Sequence, residues 1–279
     1  MEHQPVRLIA MDMDGTLLNH DCLIPAENLK AMREAVNAGI YLAIVSGRVT
    51  EDISHFMSDA GFNDCYVLGL NGGYWQEKPH GKAIYEKYMD DSAVEACIRI
   101  LEEEQVTYSA FGRDHIAISR PFKTGKELEH WGTHILRKGN LQYTFGMEGI
   151  LKQRALGTNK LVYIDREDTS RLARIRTRIE MIPGVEVTSS WNNNIEIMPT
   201  GVHKGSALAE LAKRLHLDAG QVMAIGDNDN DIPMLAWAGY GVAMGNASDG
   251  ARNAAEFETT DNQNAGVAKA IRRFALASV

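Results

Sequence analysis

Residues 6–11 form a nearly continuous apolar run that ends abruptly in Asp12-Met13-Asp14-Gly15-Thr16. A strand without polar alternation suits a parallel sheet covered by helices on both faces. The next segments repeat the theme. Residues 25–38 read as a helix with Leu29, Met32 and Val36 on one face, Pro25 in its first turn and Gly39 at its C-cap. Residues 40–45 form a second apolar strand. Residues 51–60 form a helix with Ile53, Phe56, Met57 and Ala60 on one side, closed by Gly61, and residues 65–70 a third strand before Asn71-Gly72-Gly73. Strand–helix–strand–helix–strand is the pattern of a doubly wound, Rossmann-like α/β sheet.

The order then changes. A helix is expected at 92–104, β-like runs at 107–111 and 115–119, a polar helical stretch near 126–136, and a poorly readable segment to about Thr158. Strands at 161–164, 185–189 and 195–198 and a helix at 171–182 follow. The alternating pattern returns with helices at 204–215 and 231–238 and strands at 222–225 and 241–243. Helices at 251–255 and 267–277 complete it. The prediction is a discontinuous core, residues 1–86 and 191–279, with an α+β cap inserted at 87–190. A chain of 279 residues with 44% hydrophobic content is large enough for such an arrangement.

The net charge of −8 argues against nucleic acid as the main partner. No apolar segment is long enough to span a membrane, and the N-terminal Met1-Glu2-His3-Gln4-Pro5 lacks a secretory pattern. Cys22, Cys65 and Cys97 are odd in number and far apart, so buried thiols in a reducing cytoplasm are expected rather than disulfides.

The chemistry gathers where apolar strands end, the place at which open α/β sheets bind ligands. Asp12 and Asp14 follow the first strand, Ser46-Gly47-Arg48 the second, and Gly226-Asp227-Asn228-Asp229-Asn230-Asp231 the strand at 222–225. Lys204-Gly205 opens a helix, whose amides and dipole favour an anion. Two carboxylates ~4 Å apart repel by roughly 4 kcal/mol at an effective dielectric of about 20, which calls for a cation. Two groups of acidic residues for a hard cation, beside a Ser, a Lys and free amides for an oxyanion, suit a phosphoryl group held next to Mg²⁺. The run from Asp227 fails as a calcium loop, because position six is Ile232 and position twelve Ala238.

These motifs, in this order, resemble those of the haloacid dehalogenase superfamily, within it the Cof-type phosphatases with a C2B cap. The matching residues are Asp12-Met13-Asp14-Gly15-Thr16, Ser46, Lys204 within Gly201-Val202-His203-Lys204-Gly205, and Gly226-Asp227-Asn228-Asp229-Asn230-Asp231. Asn71-Gly72-Gly73 matches a further turn and adds Asn71 to the phosphate-facing set. The resemblance implies an Mg²⁺-dependent phosphatase of small phosphorylated metabolites, sugar phosphates or a phosphorylated cofactor. It implies Asp12 as nucleophile, Asp14 as acid/base, and Ser46 and Lys204 on the phosphoryl group. Asp12, the Asp14 backbone carbonyl and Asp227 would hold the metal. The Met13 and Gly47 amides and the Asn230 side chain would contact phosphate oxygens. Asp231 would buttress Lys204 or the metal shell.

Blander roles are assigned elsewhere. Asp229 is expected to be solvated, Arg48 to be little more than an exposed helix residue, and His203 a bystander. Ser46 could also cap a helix, and His115, His130 and His134 show no metal-ligand pattern. Trp191-Asn192-Asn193-Asn194 reads as a hairpin turn. The rival functions are a phosphomannomutase-like phosphomutase and a phospho-accepting receiver domain. The +2 acid at Asp14 and the cap favour turnover over a stable phospho-acceptor. A monomer or homodimer is expected, with a small-molecule partner.

Overall fold

The computed structural model describes residues 4–121, 142–165, 168–191 and 193–277. The strands are β1 (Leu8–Met11), β2 (Tyr41–Val45), β3 (Tyr66–Gly69), β4 (Tyr74–Gln76), β5 (Ala83–Glu86), β6 (Tyr108–Phe111) and β7 (His115–Ile118). They continue with β8 (Gln142–Phe145), β9 (Lys160–Ile164), β10 (Val185–Thr188), β11 (Asn194–Pro199), β12 (Val222–Gly226), β13 (Tyr240–Ala243) and β14 (Phe257–Glu258). The α-helices are α1 (Ala26–Asn37), α2 (Thr50–Asp59), α3 (Asp91–Glu103), α4 (Gly146–Leu156), α5 (Thr169–Glu180), α6 (Lys204–Arg214), α7 (Ile232–Trp237), α8 (Asp249–Ala254) and α9 (Gly266–Ala270).

One sheet has the order β14-β13-β12-β1-β2-β3-β4-β5. It is parallel from β14 to β3, and β4 and β5 extend it antiparallel. Its faces explain the apolar run that begins the chain. Ile9 and Met11 pack under α1, α2 and α9, while Leu8 and Ala10 pack under α6, α7 and α8. Both faces of β1 are therefore dry. Strand order reverses across β1, so the ends of β1 and β12 lie side by side, with Met11 opposite Ile225. That is a topological switch point, and it brings Asp12 beside Asp227.

The second sheet has the order β10-β11-β9-β6-β7-β8 and is antiparallel except for β7 with β8. Leu161 and Tyr163 of β9 face α3 and α5, whereas Val162 and Ile164 face Val49 and Leu70 in the first sheet's loops and Tyr74 of β4. This sheet reaches beyond the expected limit at residue 190, because β11 pairs with β9 and β10.

Other expectations need correction. The hairpin β4–β5, strand β8, helix α4 and the short β14 were not anticipated. Helix α4 buries only Gly149, Ile150 and Gln153, so it carries no apolar stripe to read. In α1 the core face is Ala31, Met32 and Ala35, and Val36 is exposed. Cys65 and Cys97 are buried free thiols, but Cys22 is only half-buried. The helical stretch at 126–136, with His130 and His134, lies outside the described residues. Among the described residues no helix is long and apolar enough to cross a membrane.

Candidate active site

The turn after β1 is shaped to receive Asp227. Gly15 has φ +81°, and a Cβ there would lie 2.2 Å from Asp227 Oδ2. Only glycine tolerates both the left-handed backbone and that approach. The next residue completes the contact, since Thr16 Oγ1 donates to Asp227 Oδ1 at 2.6 Å. Met13 points its side chain into the core, which leaves only its backbone for a ligand.

Lys204 is fully buried at the start of α6, and its Nζ donates to Asp12 Oδ1 and Asp231 Oδ1, each at 2.6 Å. His203, expected as a bystander, caps this helix: its Nδ1 accepts the Ser206 N–H at 3.1 Å. Asp231 turns its other oxygen to the N–H groups of Asp227, at 2.9 Å, and Asn228, at 3.0 Å. Both Asp231 oxygens are thus engaged.

Carboxylate oxygens of Asp12, Asp227 and Asp231 lie within 4.8 Å of one another. Burial, together with the charges of Asp231 and Asp227, pushes Asp12 well above the usual carboxylate range, although Lys204 pulls it down. Burial and Asp231 push Asp227 up to about 7, against the Thr16 hydrogen bond. Burial would lower Lys204, but the two aspartates reverse this and raise it. Three carboxylates and one ammonium leave excess negative charge on hard oxygen donors. That set fits a small divalent cation such as Mg²⁺.

The loop after β2 departs from expectation. Ser46 is buried, and its Oγ accepts the Arg48 N–H at 3.3 Å. It does not cap α2, whose N-cap is Val49. Arg48 is not an exposed helix residue, because its side chain is 7% exposed. Its Nε and Nη2 each reach an Asp14 oxygen at 2.6 Å, and Nη1 reaches Asp52 Oδ2 at 2.5 Å. Burial opposes the charge on Arg48, yet Asp14 and Asp52 together raise its pKa. Asp229 is exposed and accepts from Ser248 Oγ at 2.9 Å.

A cavity between the two sheets joins these groups. Asp12, Asp14, Ser46 and Gly47 lie on one side, and Phe111, Ile116, Val162 and Trp191 form apolar wall on the other. Trp191 does lie in the β10–β11 turn, where Asn194 Oδ1 accepts the Ser190 and Trp191 N–H groups at 3.2 and 3.0 Å. Lys160 and Glu196 line this cavity and were not singled out from the sequence. Lys160 Nζ donates to the Gly47 carbonyl at 2.6 Å and to Glu196 Oε2 at 3.0 Å. Asn71 donates to the same Glu196 oxygen at 2.5 Å, and its Oδ1 accepts from Asn230 Nδ2 at 3.3 Å. Asn230 Oδ1 is buried in this wall without a hydrogen-bond partner.

The pattern of the haloacid dehalogenase-like hydrolases matches residues 9–271. The chain belongs to that family. It is 30% identical over 275 residues to the 5-amino-6-(5-phospho-D-ribitylamino)uracil phosphatase YcsE of Bacillus subtilis, covering 99% of this chain and 98% of that one. It is 29% identical to the pyridoxal phosphate phosphatase YbhA of Escherichia coli, over 95% of this chain and 97% of the relative. A solved haloacid dehalogenase-like hydrolase of Bacillus subtilis superposes with a TM-score of 0.84 at 26% identity, covering 96% of this chain and 99% of that structure.

Proposed function

We propose that the chain is an Mg²⁺-dependent phosphatase of small phosphorylated metabolites, acting through an aspartyl-phosphate at Asp12. The observation that carries this reading is Asp12 held by Lys204 at 2.6 Å beside Asp227, with Asp14 two residues on. An Asp12 carboxylate oxygen attacks phosphorus, and the P–O bond to the leaving group breaks as the new P–O bond forms. Asp14 in its protonated form gives the leaving oxygen a proton. It then takes one from water, whose oxygen attacks the aspartyl-phosphate and frees Asp12 and inorganic phosphate. Lys204 and the Met13 and Gly47 amides stabilise the developing charge. Mg²⁺, held by Asp12, the Asp14 carbonyl and Asp227, would neutralise phosphoryl oxygens.

Arg48 adds a condition. With both Asp14 oxygens accepting from the Arg48 guanidinium, the acid step requires Arg48 to yield Asp14 when substrate arrives. Asp52 and the incoming phosphate offer it alternative partners.

The apolar wall of Phe111, Ile116, Val162 and Trp191 favours an organic part with a flat ring. Two relatives act on phosphates of that kind, a ribitylaminouracil phosphate and pyridoxal phosphate. We place the cap at residues 87–199, moved to include β11, and the protein in a reducing cytoplasm that suits its free thiols. The test is phosphate release over a metabolite panel with Mg²⁺. Ring-bearing phosphates should lead the panel, and Asp12→Asn should abolish release. Retained release in that variant sinks the nucleophile assignment, and conversion of a hexose 1-phosphate into its 6-phosphate makes the enzyme a mutase.

A further inference from the structure

We propose that Lys160 and Glu196 are positioning residues: a latch on the cap that sets the Gly47 amide for the phosphoryl group. The phosphate cradle is then complete only with the cap docked. This rests on the phosphatase reading above.

Gly47 sits between two peptide planes, and both are held. The Ser46 carbonyl accepts the Asn71 N–H at 2.9 Å, and because a trans peptide sets C=O and N–H on opposite sides, this aims the Gly47 N–H. The Gly47 carbonyl accepts from Lys160 at 2.6 Å, while the Arg48 N–H of the same plane bonds Ser46 Oγ. One of these restraints comes from 113 residues downstream, on another sheet.

Lys160 and Glu196 reach this loop from neighbouring strands. Glu196 is paired with Val162 across β11 and β9, and Lys160 lies two residues before Val162, so all three share the face turned to the core. Side chains of Lys160 and Glu196 are 4% and 5% exposed. Glu196 is saturated: Oε2 takes Lys160 and Asn71, and Oε1 takes Ser190 Oγ at 2.7 Å and Asn194 Nδ2 at 3.3 Å. Burial would raise its pKa, but Lys160, Ser190 and Asn71 more than offset this and keep it ionised. A saturated carboxylate has no capacity left to act as a base, which leaves it a structural role. A Cβ on Gly47 would lie 3.1 Å from Asn71 Oδ1 and 3.4 Å from Glu196 Oε2, so the latch closes directly on the loop. Through Asn71 the same network reaches Asn230. If the cap swings away, the Gly47 carbonyl loses its ammonium and Asn71 its carboxylate together.

The competing role for Lys160 is direct contact with the organic part of the substrate. Orthovanadate separates the two, because it occupies the phosphoryl position and has no organic part. The experiment uses the full chain with Mg²⁺ and measures vanadate affinity, kcat and KM for wild type, Lys160→Met, Lys160→Arg and Glu196→Gln. The latch predicts weaker vanadate binding in Lys160→Met, on the order of tenfold as for one charge-assisted hydrogen bond. It also predicts a lower kcat, substantial recovery in Lys160→Arg, and a smaller loss in the isosteric Glu196→Gln. Vanadate affinity within about twofold of wild type in both Lys160→Met and Glu196→Gln overturns it, with or without a rise in KM. Should Lys160→Met fail to fold, as judged by near-UV circular dichroism, the Glu196→Gln result decides. Failure of the phosphatase reading is seen separately, as wild-type protein no more active than Asp12→Asn.

Discussion

Replacing Lys204 with Met tests how the buried charges are balanced. The ammonium is fully buried and contacts Asp12 and Asp231 at 2.6 Å each, with Asp227 in the same cluster. Methionine keeps the length of the chain but removes the only cation in that cluster among the described residues. Carboxylates 4.8 Å apart repel by about 3.5 kcal/mol at an effective dielectric of about 20. Breaking a buried ion pair by deleting one partner costs roughly 3–5 kcal/mol. In a chain of this size that corresponds to a fall in Tm of about 10 °C. The sign of the pH dependence follows from the acids. Without Lys204 the folded pKa values of Asp12 and Asp227, already raised by burial, rise further above the unfolded values, so the folded state keeps protons the unfolded state has lost. The added stability of those protonated acids is complete below about pH 4 and disappears as pH rises through the folded values. The loss in Tm should therefore be larger at pH 8 than at pH 5, and Mg²⁺ should recover part of it at pH 8. The assay is a set of thermal melts by circular dichroism at both pH values, with and without Mg²⁺, alongside phosphate release. Turnover should fall on the order of 10²–10³-fold, as for loss of one transition-state charge donor. Equal melting losses at the two pH values, or turnover within threefold of wild type, would refute the reasoning.

With Asp227 raised to about 7 in the metal-free chain, binding of Mg²⁺ should release protons. Its affinity, measured by calorimetry, should tighten from pH 5 towards pH 8; an affinity independent of pH counts against Asp227 as a ligand. Gly15→Ala places a methyl 2.2 Å from Asp227 Oδ2 at φ +81°, so Mg²⁺ affinity and turnover should both drop while the fold persists in circular dichroism. Trp191→Ala should raise KM for a ring-bearing phosphate by roughly 3–10-fold and leave that for acetyl phosphate unchanged. Equal effects on both substrates would remove Trp191 from ring recognition.

What could be read from the chain follows from where each signal resides. The buried strands β1, β2, β3 and β12 announce themselves because both faces are covered and the run stays apolar. Helix α4 does not, since its buried positions are Gly149, Ile150 and Gln153 while Leu151 and Leu156 face outwards. The hairpin β4–β5 is hidden for another reason: its first strand is three residues long and starts directly after the turn at Asn71-Gly72-Gly73. The same division holds at the site. Asp12 and Asp14 are legible through their i, i+2 spacing at a strand end, a purely local signal. Arg48 is not, because its burial depends on two acids, one 34 residues before it, closing over the guanidinium.

Lys160 and Glu196 extend this argument to the cap. Each alone is an ordinary charged residue at a strand position, and neither belongs to a local pattern. Their meaning appears only when β9 and β11 lie side by side and their shared face meets the loops after β2 and β3. A buried ion pair is weak evidence for stability, since desolvation offsets much of its attraction. This pair also bonds a backbone carbonyl and an asparagine of the core, contacts that an apolar replacement of equal volume could not make. On the latch proposed above, the core motifs name the chemistry while the cap sets when the cradle is assembled. Residues that perform the second task are invisible to any reading that treats the two segments separately.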